Sequence, residues 1–368
     1  MRKLLLKLSL AVFLVLICAL FLSELIVPKW TSGNNPQTLQ IDDFEKLDSN
    51  TLDVLVLGSC QSYQGFNPAV LWDATGRTSY VLASPDQRVY STYYYLQYAL
   101  KTQSPKVVLF DTLMLTESNH KNEAFDTKAI FSIPDTELRQ RFSEEVFDLH
   151  YEKEKCLPQY YIDKGINAIK TRFPVFTFNS TFDFSLDNLE YYLGSLDRSS
   201  FNGGVPMFIQ MDMSKKSNFM TENCLDGCVL DPIADHYFRK LVDVCEQNGI
   251  TLILFKTLSP HYWSYEKNDV ISDYADSFGL EFIDFNVDPA QFGLDLSSHM
   301  YHNWKLNAEG MRITTEYLGG YLEDNHASLF NSEKPGSTIA YYDAILEKYH
   351  AACTNATWET VLMPEDEE

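Results

Sequence analysis

An apolar run close to the N-terminus constrains this chain more than any other feature of its sequence. Mostly apolar residues extend from Leu4 to Val27, interrupted early by Lys7. A helix needs about 20 mostly apolar residues to cross the hydrocarbon core of a bilayer, so this segment is long enough to span one. The sequence therefore predicts a transmembrane helix over residues 1–27.

The residues around this segment predict its orientation. Arg2, Lys3 and Lys7 lie at its N-terminal end, and the positive-inside rule keeps such an end in the cytoplasm. A cleaved signal peptide is the alternative interpretation, but the Leu-Ser-Glu-Leu stretch at 22–25 lacks the small residues of a cleavage site. We therefore expect a single-pass protein of the cell membrane whose main domain is extracellular.

The net charge of −22 restricts the partners of that domain. An acidic surface repels nucleic acid and anionic lipid. We therefore expect no nucleic-acid partner, and we expect a domain that does not lie flat on the membrane. Contact with the bilayer is then predicted through the N-terminal helix.

Two of the seven cysteines, Cys224 and Cys228, are close enough in sequence to close a small disulfide ring in an oxidising exterior. A metal site at this pair is disfavoured, because no second pair of cysteines or histidines stands at zinc-finger spacing. We expect neither a metal nor a cofactor, and the cysteine pairing stays open.

Short apolar segments alternate with helical ones after a polar stalk over residues 28–50. This alternation is typical of a parallel sheet with helical crossovers, and it predicts one α/β domain over residues 51–323. An aromatic-rich segment at about 116–232 has weak periodicity and predicts an irregular insertion, and residues 324–368 predict a polar C-terminal extension. The expected strands are 53–57, 79–82, 106–110, 251–256 and 280–285, and the expected helices are 68–75, 90–101, 236–247, 266–278, 308–322 and 339–349.

A candidate nucleophile follows the first predicted strand. Residues 58–62 read Gly-Ser-Cys-Gln-Ser, and open α/β sheets bind ligands beyond the carboxyl ends of their strands. A helix that starts here would offer backbone N–H groups to an oxyanion and would lower the pKa of the Cys60 thiol. The alternative interpretation is a tight turn with a buried cysteine.

A second polar cluster precedes the last long helix of the predicted domain. Asp295, His299 and His302 lie between the predicted strand 280–285 and the predicted helix 308–322. A nucleophile needs a base, and the base needs an orienting group, so histidine near a carboxylate fits both roles. The alternative interpretation is a loop of exposed polar residues.

Together the two segments resemble the SGNH/GDSL hydrolase superfamily, and most closely its membrane-anchored bacterial, DltD-like branch. The resemblance rests on the strand followed by Gly-Ser-Cys at 58–60 and on Leu-Asn-Ala-Glu-Gly at 306–310 before the final helix. It covers about 52–115 and 235–322. It implies a flavodoxin-like three-layer sandwich around a central parallel sheet.

The resemblance also implies roles for individual residues. Cys60, directly after Ser59, stands where the family has its serine nucleophile, and a thiolate can also perform acyl transfer. The oxyanion donors of the family's second and third blocks fall at Ala83 or Ser84 and at Asp111. An ionised carboxylate accepts hydrogen bonds but does not donate them, so Asp111 implies a weakened oxyanion hole.

The base stays open between two alignments of the family's closing block, Asp-x-x-His-x-Asn-x-x-Gly. An ungapped alignment puts His302 at the aspartate position and Lys305 at the histidine position, which removes the usual base and leaves Lys305 as a candidate oxyanion or substrate contact. A gapped alignment makes His299 the base and Asp295 its partner, with one residue too many between them. Under either alignment His302 is expected near the site, where it is also a candidate partner of Cys60 in a Cys/His dyad.

Two functions follow from the resemblance. The first is a cell-surface ester hydrolase or O-acyltransferase that acts on an envelope glycan or a teichoic-acid-like polymer, with a membrane-bound acyltransferase as a candidate partner and source of the acyl group. The second is a non-catalytic module of the same fold that binds a glycan or a membrane protein. A purely structural envelope protein is a third class. The aromatic residues that would stack on a glycan are Tyr160, Tyr161, Phe173, Phe176, Phe178, Tyr191 and Tyr192.

Overall fold

The computed structural model describes residues 2–28, 41–151, 157–178, 201–214, 219–221, 229–259, 262–302, 304–330 and 333–361. Cys156, Cys224 and Cys228 lie outside the described residues, as do Tyr191 and Tyr192, so the predicted disulfide ring falls outside them as well. The chain divides into two compact units. The first consists of Met1–Thr38 and His120–Arg198, and the second of Leu39–Asn119 and Ser199–Glu368.

The elements are numbered here in chain order. The helices are α1 (Arg2–Leu25), α2 (Ile41–Phe44), α3 (Cys60–Gly65), α4 (Pro68–Thr75), α5 (Val89–Ala99), α6 (Leu113–Thr116), α7 (Glu123–Ser132), α8 (Thr136–His150), α9 (Leu157–Arg172), α10 (Val175–Phe178), α11 (Pro232–Gln247), α12 (Tyr265–Phe278), α13 (Ala308–His326) and α14 (Gly336–Asn355). The strands are β1 (Val54–Gly58), β2 (Ser79–Ala83), β3 (Val107–Asp111), β4 (Ile209–Met211), β5 (Thr251–Lys256), β6 (Glu281–Asp284), β7 (Met300–His302), β8 (Lys305–Leu306) and β9 (Glu359–Val361).

The second unit is built on a parallel five-stranded sheet with the strand order β2-β1-β3-β5-β6. This is the order of a doubly wound sheet, in which the chain leaves β1 toward one edge and then returns past it toward the other. The point where the direction reverses lies between β1 and β3. The predicted α/β class with a central parallel sheet is thus confirmed.

Helices cover both faces of this sheet. On one face, Val56 and Leu109 share a core with Leu71 of α4 and Leu318 of α13. On the other face, the ring of Phe110 lies 5.3 Å from that of Phe238 on α11. Strands buried on both faces require nearly continuous apolar sequence, which is why these strands were recognisable as short apolar runs.

The segments that flank the predicted domain are packed into the same unit. Ile41 and Phe44, in the second half of the predicted stalk, are buried, and the Phe44 ring lies 5.1 Å from that of Tyr80. In the C-terminal segment, the hydroxyl of Tyr342 on α14 donates a hydrogen bond to the Ser79 carbonyl at 2.9 Å. Both segments therefore add to the core of the α/β unit.

The prediction of an irregular insertion was wrong for much of the segment that the structure describes. Helices α7, α8 and α9 follow one another in the first unit. Along α8, Leu138, Phe142 and Val146 recur every four residues and are buried, and the Asp135 side chain caps the helix by accepting from the Leu138 N–H at 2.8 Å. The charged residues between these positions masked a narrow apolar stripe of helical period.

The N-terminal helix has the predicted length. Leu6–Leu25 has a mean hydropathy of 2.6 and is long and apolar enough to cross a membrane. Its length matches the hydrocarbon thickness of a bilayer, and a signal sequence near an N-terminus would meet the same test. The structure thus supports a candidate membrane-spanning helix by length and composition.

Candidate functional site

Two sequence-predicted residues flank the point where the sheet reverses direction. Cys60 begins α3 just beyond the carboxyl end of β1, and Asp111 is the last residue of β3. Both are buried, with 8% of Cys60 and 1% of Asp111 exposed. Ligands of doubly wound sheets bind at this reversal point, so the fold places Cys60 where such a sheet holds its substrate.

A glycine permits this close approach of β1 and β3. Gly58 has a φ of +151°, and a Cβ atom there would lie 2.1 Å from the Ser62 Oγ and 2.7 Å from the Asp111 Cβ. Any larger residue would push the end of β3 away from the turn. Gly58 therefore fixes the position of Asp111 relative to the start of α3.

A buried lysine lies next to these residues at the end of β5. The Lys256 Nζ donates to the Gln61 Oε1, to the Ser259 Oγ at 2.5 Å and to the Thr257 carbonyl at 3.3 Å. An ammonium group has three N–H donors, and three oxygens accept them here. Burial lowers the pKa of Lys256, whereas the charges of Asp111 and nearby Asp284 raise it.

Gln61 joins this network to the loop before α13. Its Oε1 accepts from Lys256, while its Nε2 donates to the Trp304 carbonyl at 3.1 Å. Three residues after Gln61, the Gln64 Nε2 donates to the Tyr301 hydroxyl at 2.9 Å. Helix α3 thus holds the β7–β8 hairpin beside the Cys60 turn.

A second layer of hydrogen bonds supports the carboxyl end of β6. The Asp284 Oδ2 accepts from the Trp263 Nε1 at 2.7 Å, and the Asn286 Nδ2 donates to the Asp284 Oδ1 and to the Thr257 carbonyl. Asn286 also accepts from the Ser259 N–H at 2.6 Å. These contacts lock the segment that follows β5, which carries Ser259, against β6.

The Asp111 side chain has an asymmetric environment. Its Oδ1 accepts from the Leu113 N–H at 2.9 Å, whereas the buried Oδ2 has no hydrogen-bond partner among the described residues. Burial raises the pKa of Asp111, and the positive charge of Lys256 opposes that rise in part. A protonated Asp111 would donate a hydrogen bond through its O–H.

The thiol of Cys60 is electrostatically linked to a lysine of the hairpin. Burial raises the pKa of Cys60, and Lys305 lowers it more than any other charged group does. Burial also lowers the pKa of Lys305, whose Nζ lies 4.3 Å from the centre of the Trp304 ring. Ser59 lies beside the thiol and lowers its pKa as well.

The two histidines that sequence reasoning favoured have other partners. The His299 Nδ1 accepts from the backbone N–H of Asp295 at 2.9 Å, so its proton is on Nε2. The Asp295 carboxylate instead accepts from the N–H and the hydroxyl of Ser297. His302 is exposed, and its ring lies 5.6 Å from that of Trp304. The charged groups with the largest effects on the pKa of Cys60 are Lys305, Asp111 and Lys256 rather than a histidine.

The Leu-Asn-x-x-Gly motif has a local structural explanation. The Asn307 side chain accepts from the Gly310 N–H at 3.0 Å and so caps α13, and it donates to the Ser298 carbonyl at 2.7 Å. A Cβ atom on Gly310 would lie 2.5 Å from the carbonyl oxygen of His299. The motif therefore docks the 298–300 segment against the start of α13.

The remaining predicted residues lie at the end of β2. Ala83 is buried and pairs with Gly58 in the sheet register. The Ser84 hydroxyl donates to the Gln87 Oε1 at 3.0 Å. The structure thus gathers Ser59, Cys60, Asp111 and Lys305 around the reversal point, with Ala83 on the neighbouring strand.

Lys256 and Gln61 are the site residues that the sequence reasoning missed. Lys256 is the charged last residue of an otherwise apolar buried strand, and a lysine is almost never fully buried unless it is partnered. That signal was available in the sequence. Gln61 was visible as part of the Gly-Ser-Cys-Gln-Ser turn, but its partner is 195 residues away.

Comparison of the chain with models of known protein families and with curated proteins finds no match. Interpretation of the site therefore rests on its geometry and chemistry.

Proposed function

We propose that this protein is a cell-surface acyltransferase or esterase of SGNH-like type, with Cys60 as its nucleophile and Lys305 as its base. Its substrate would be an acylated or acyl-accepting envelope glycan or teichoic-acid-like polymer, reached from the outer side of the membrane that α1 crosses. The observation that carries this proposal is the placement of a thiol, a lysine coupled to it and a buried carboxyl group at the reversal point of the sheet.

Lys305 is a better base than its alternatives. Lys256 has its three donors occupied by oxygen acceptors, and His299 accepts a hydrogen bond at the ring nitrogen that would take a proton. Burial lowers the pKa of Lys305, which increases the fraction of neutral amine. Lys305 is also the residue that the ungapped alignment put at the family's histidine position.

The reaction would proceed through a thioester. Lys305 takes the proton of Cys60, and the thiolate attacks the acyl carbonyl to form a C–S bond and an oxyanion. Protonated Asp111 and backbone N–H groups near Ala83 donate to that oxyanion. Collapse breaks the ester C–O bond, and the Lys305 ammonium returns its proton to the leaving alkoxide. Water or an acceptor hydroxyl then releases the acyl group and frees the thiol.

A non-catalytic binding module is the second candidate function, and one observation favours it. Burial raises the pKa of Cys60 above its usual value in spite of Lys305. A thiol that stays protonated and buried is a poor nucleophile. A protein of this kind would hold a glycan or a membrane protein at the same surface without covalent chemistry.

Trapping the acyl-enzyme distinguishes the two functions. Full-length protein in detergent would be incubated with p-nitrophenyl acetate, quenched in acid and examined by intact-mass spectrometry. We expect one acetyl group on Cys60 that hydroxylamine removes, and none on Cys60→Ala. Cys245→Ala is the matched control, because Cys245 is also buried but lies on α11. Acetylation that persists in Cys60→Ala, or an unacetylated wild type, contradicts the enzyme and leaves the binding module.

The role of Lys305 makes a separate prediction about pH. Because its positive charge lowers the pKa of Cys60, Lys305→Met should shift alkylation of Cys60 by iodoacetamide to higher pH. Turnover should fall about 100-fold or more, as expected for loss of a general base. The rate would be followed by peptide mass spectrometry across a pH series, with exposed Lys101→Met as the control. An unchanged pH profile would remove Lys305 from the mechanism.

A further inference from the structure

Helix α9 of the first unit is amphipathic, but its polar face is packed and its apolar face is exposed. A surface helix normally buries its apolar stripe and exposes its polar residues. In α9 the polar residues face the neighbouring helix α8, since the Thr171 and Ser143 hydroxyls lie 2.6 Å apart and the Asn167 Nδ2 lies 3.0 Å from the Ser143 Oγ. The face of α9 that packs on α8 therefore includes polar side chains joined by hydrogen bonds.

The apolar residues of α9 point away from α8. Ile162, Ile166 and Ile169 are 55%, 47% and 53% exposed, at spacings of four and three residues that align them along one face of the helix. Tyr161, next to Ile162 in the sequence, and Phe176 of α10 are exposed as well. These five residues are called the outer stripe below. A contiguous exposed apolar surface of this kind marks a binding site for protein or membrane.

The membrane-spanning candidate α1 belongs to the same unit and ends beside this stripe. The Ser23 hydroxyl near the end of α1 accepts from the Val175 N–H of α10 at 3.1 Å. The adjacent Glu24 pairs with the buried guanidinium of Arg139 on α8 at 2.5 Å. The point where α1 would leave a bilayer is thus fixed directly next to α10, one residue from Phe176.

The residues that border the stripe suit a lipid–water boundary. Lys170 and Arg172 are exposed at the C-terminal end of α9, where long cationic side chains can reach headgroups while their stems lie on apolar surface. Aromatic residues such as Tyr161 and Phe176 are favoured at membrane interfaces. A helix with one apolar face and flanking cations is typical of helices that lie in the plane of a bilayer surface.

We propose that the outer stripe is embedded in the interfacial region of the bilayer that α1 spans, so that this unit lies on the membrane surface. The occupant of the apolar face is then lipid, at a depth of about 5–10 Å. This refines the expectation that the membrane contact is limited to the N-terminal helix. The acidic net charge disfavours lipid contact only for surfaces that are themselves acidic, and the outer stripe is apolar. The proposal does not depend on any catalytic role of Cys60.

Photocrosslinking tests this contact in the full-length protein. p-Benzoylphenylalanine would replace Ile166, and the protein would be reconstituted into phosphatidylcholine vesicles that contain a lipid with an alkyne at the end of an acyl chain. After irradiation, a fluorophore attached to the alkyne reports lipid adducts on a gel. The matched control carries the probe at Glu137, which is exposed on α8 of the same unit. A second probe at Ile162 repeats the test one turn earlier.

We expect several-fold more lipid adduct with the probe at Ile166 or Ile162 than at Glu137. Because both stripe positions are exposed, circular dichroism should show an unchanged fold. Equal labelling at the stripe and at the control would overturn the proposal. A crosslink to a second copy of the chain in place of lipid would also overturn it, since the stripe would then be a self-association surface.

Discussion

The two carboxyl oxygens of buried Asp111 have different surroundings. Its Oδ1 is held by the Leu113 N–H, while its Oδ2 has no hydrogen-bond partner in the described part of the chain. A buried carboxylate without sufficient partners is expensive, so the neutral acid is favoured. Lys256 opposes this by its charge. The protonation of Asp111 therefore affects both the stability of the fold and the capacity of the site to donate a hydrogen bond.

This balance predicts how stability depends on pH. Because burial raises the pKa of Asp111, the folded protein holds this proton more tightly than the unfolded chain does. As the pH rises above the ordinary Asp value of 3.8, the unfolded chain ionises first and the fold loses stability at this position. Asp111→Asn removes the ionisation, so it should raise stability relative to the wild type more at neutral pH than near pH 4.

Chemical denaturation at the two pH values measures the difference, which should be about 1.4 kcal/mol for each unit by which the pKa is raised. Exposed Asp324→Asn provides the background for an ordinary surface aspartate. A relative gain that is the same at both pH values would show that Asp111 is already ionised in the fold.

At the scale of elements, the site depends on how closely the end of β1 approaches β3. The turn into α3 has a positive φ at Gly58, and the backbone there leaves no room for a Cβ atom beside Ser62 and Asp111. Gly65 at the end of α3 is similar, since a Cβ there would lie 2.3 Å from the Thr257 Cγ2. Helix α3 thus lies in close contact with the ends of β3 and β5, and these contacts keep Cys60 in place.

Gly58→Ala should therefore destabilise the α/β unit strongly. Overpacking costs about 1–3 kcal/mol, and backbone strain adds about 1–3 kcal/mol. Gly76→Ala is the matched control, because Gly76 has a φ of +68° with no atom within 4 Å of the added Cβ. Gly76→Ala should lose only the stability that corresponds to backbone strain, about 1–3 kcal/mol. Equal losses in urea denaturation would show that the turn relaxes around the extra methyl group.

At the scale of the whole molecule, the chain consists of two compact units. The α/β unit is held by a large apolar core. The unit that contains α1 includes the Arg139–Glu24 pair, whose guanidinium is buried. A buried charge without its partner is costly. The Glu24 carboxylate near the end of the apolar run therefore stabilises the attachment of α1 to α8.

Glu24→Ala should loosen α8 in the full-length protein. Hydrogen bonds to charged groups contribute about 1.5–3 kcal/mol, so amides of Thr136–His150 should exchange with deuterium about 10- to 100-fold faster. Glu323→Ala is the control, because it removes the comparable Arg77–Glu323 pair from the α/β unit. If α8 keeps its protection in Glu24→Ala, the pair does not hold α1 in place.

The sequence by itself determined the elements whose signals are local. The apolar run predicted α1, and short buried strands with helical spacing between them predicted the α/β class and most boundaries of its elements, because burial on both faces and helix amphipathicity leave marks within a few residues. It also brought Cys60 and Asp111 to attention. The spacing of Ile162, Ile166 and Ile169 is also present in the sequence, but this segment was expected to be irregular, and spacing alone does not say which face of a helix is buried.

The interaction partners of the site residues were decided by the tertiary structure. The sequence left the base open between His299 and His302, and only the fold shows that the charge of Lys305 acts on Cys60 while His299 is engaged by the Asp295 backbone. The Lys256–Gln61 contact joins residues 195 positions apart. Charges act through space and through the surrounding dielectric, and no local pattern encodes which strand ends become neighbours. The N-terminal apolar helix was therefore predictable from its own residues, whereas the partners of the side chains around Cys60 were not.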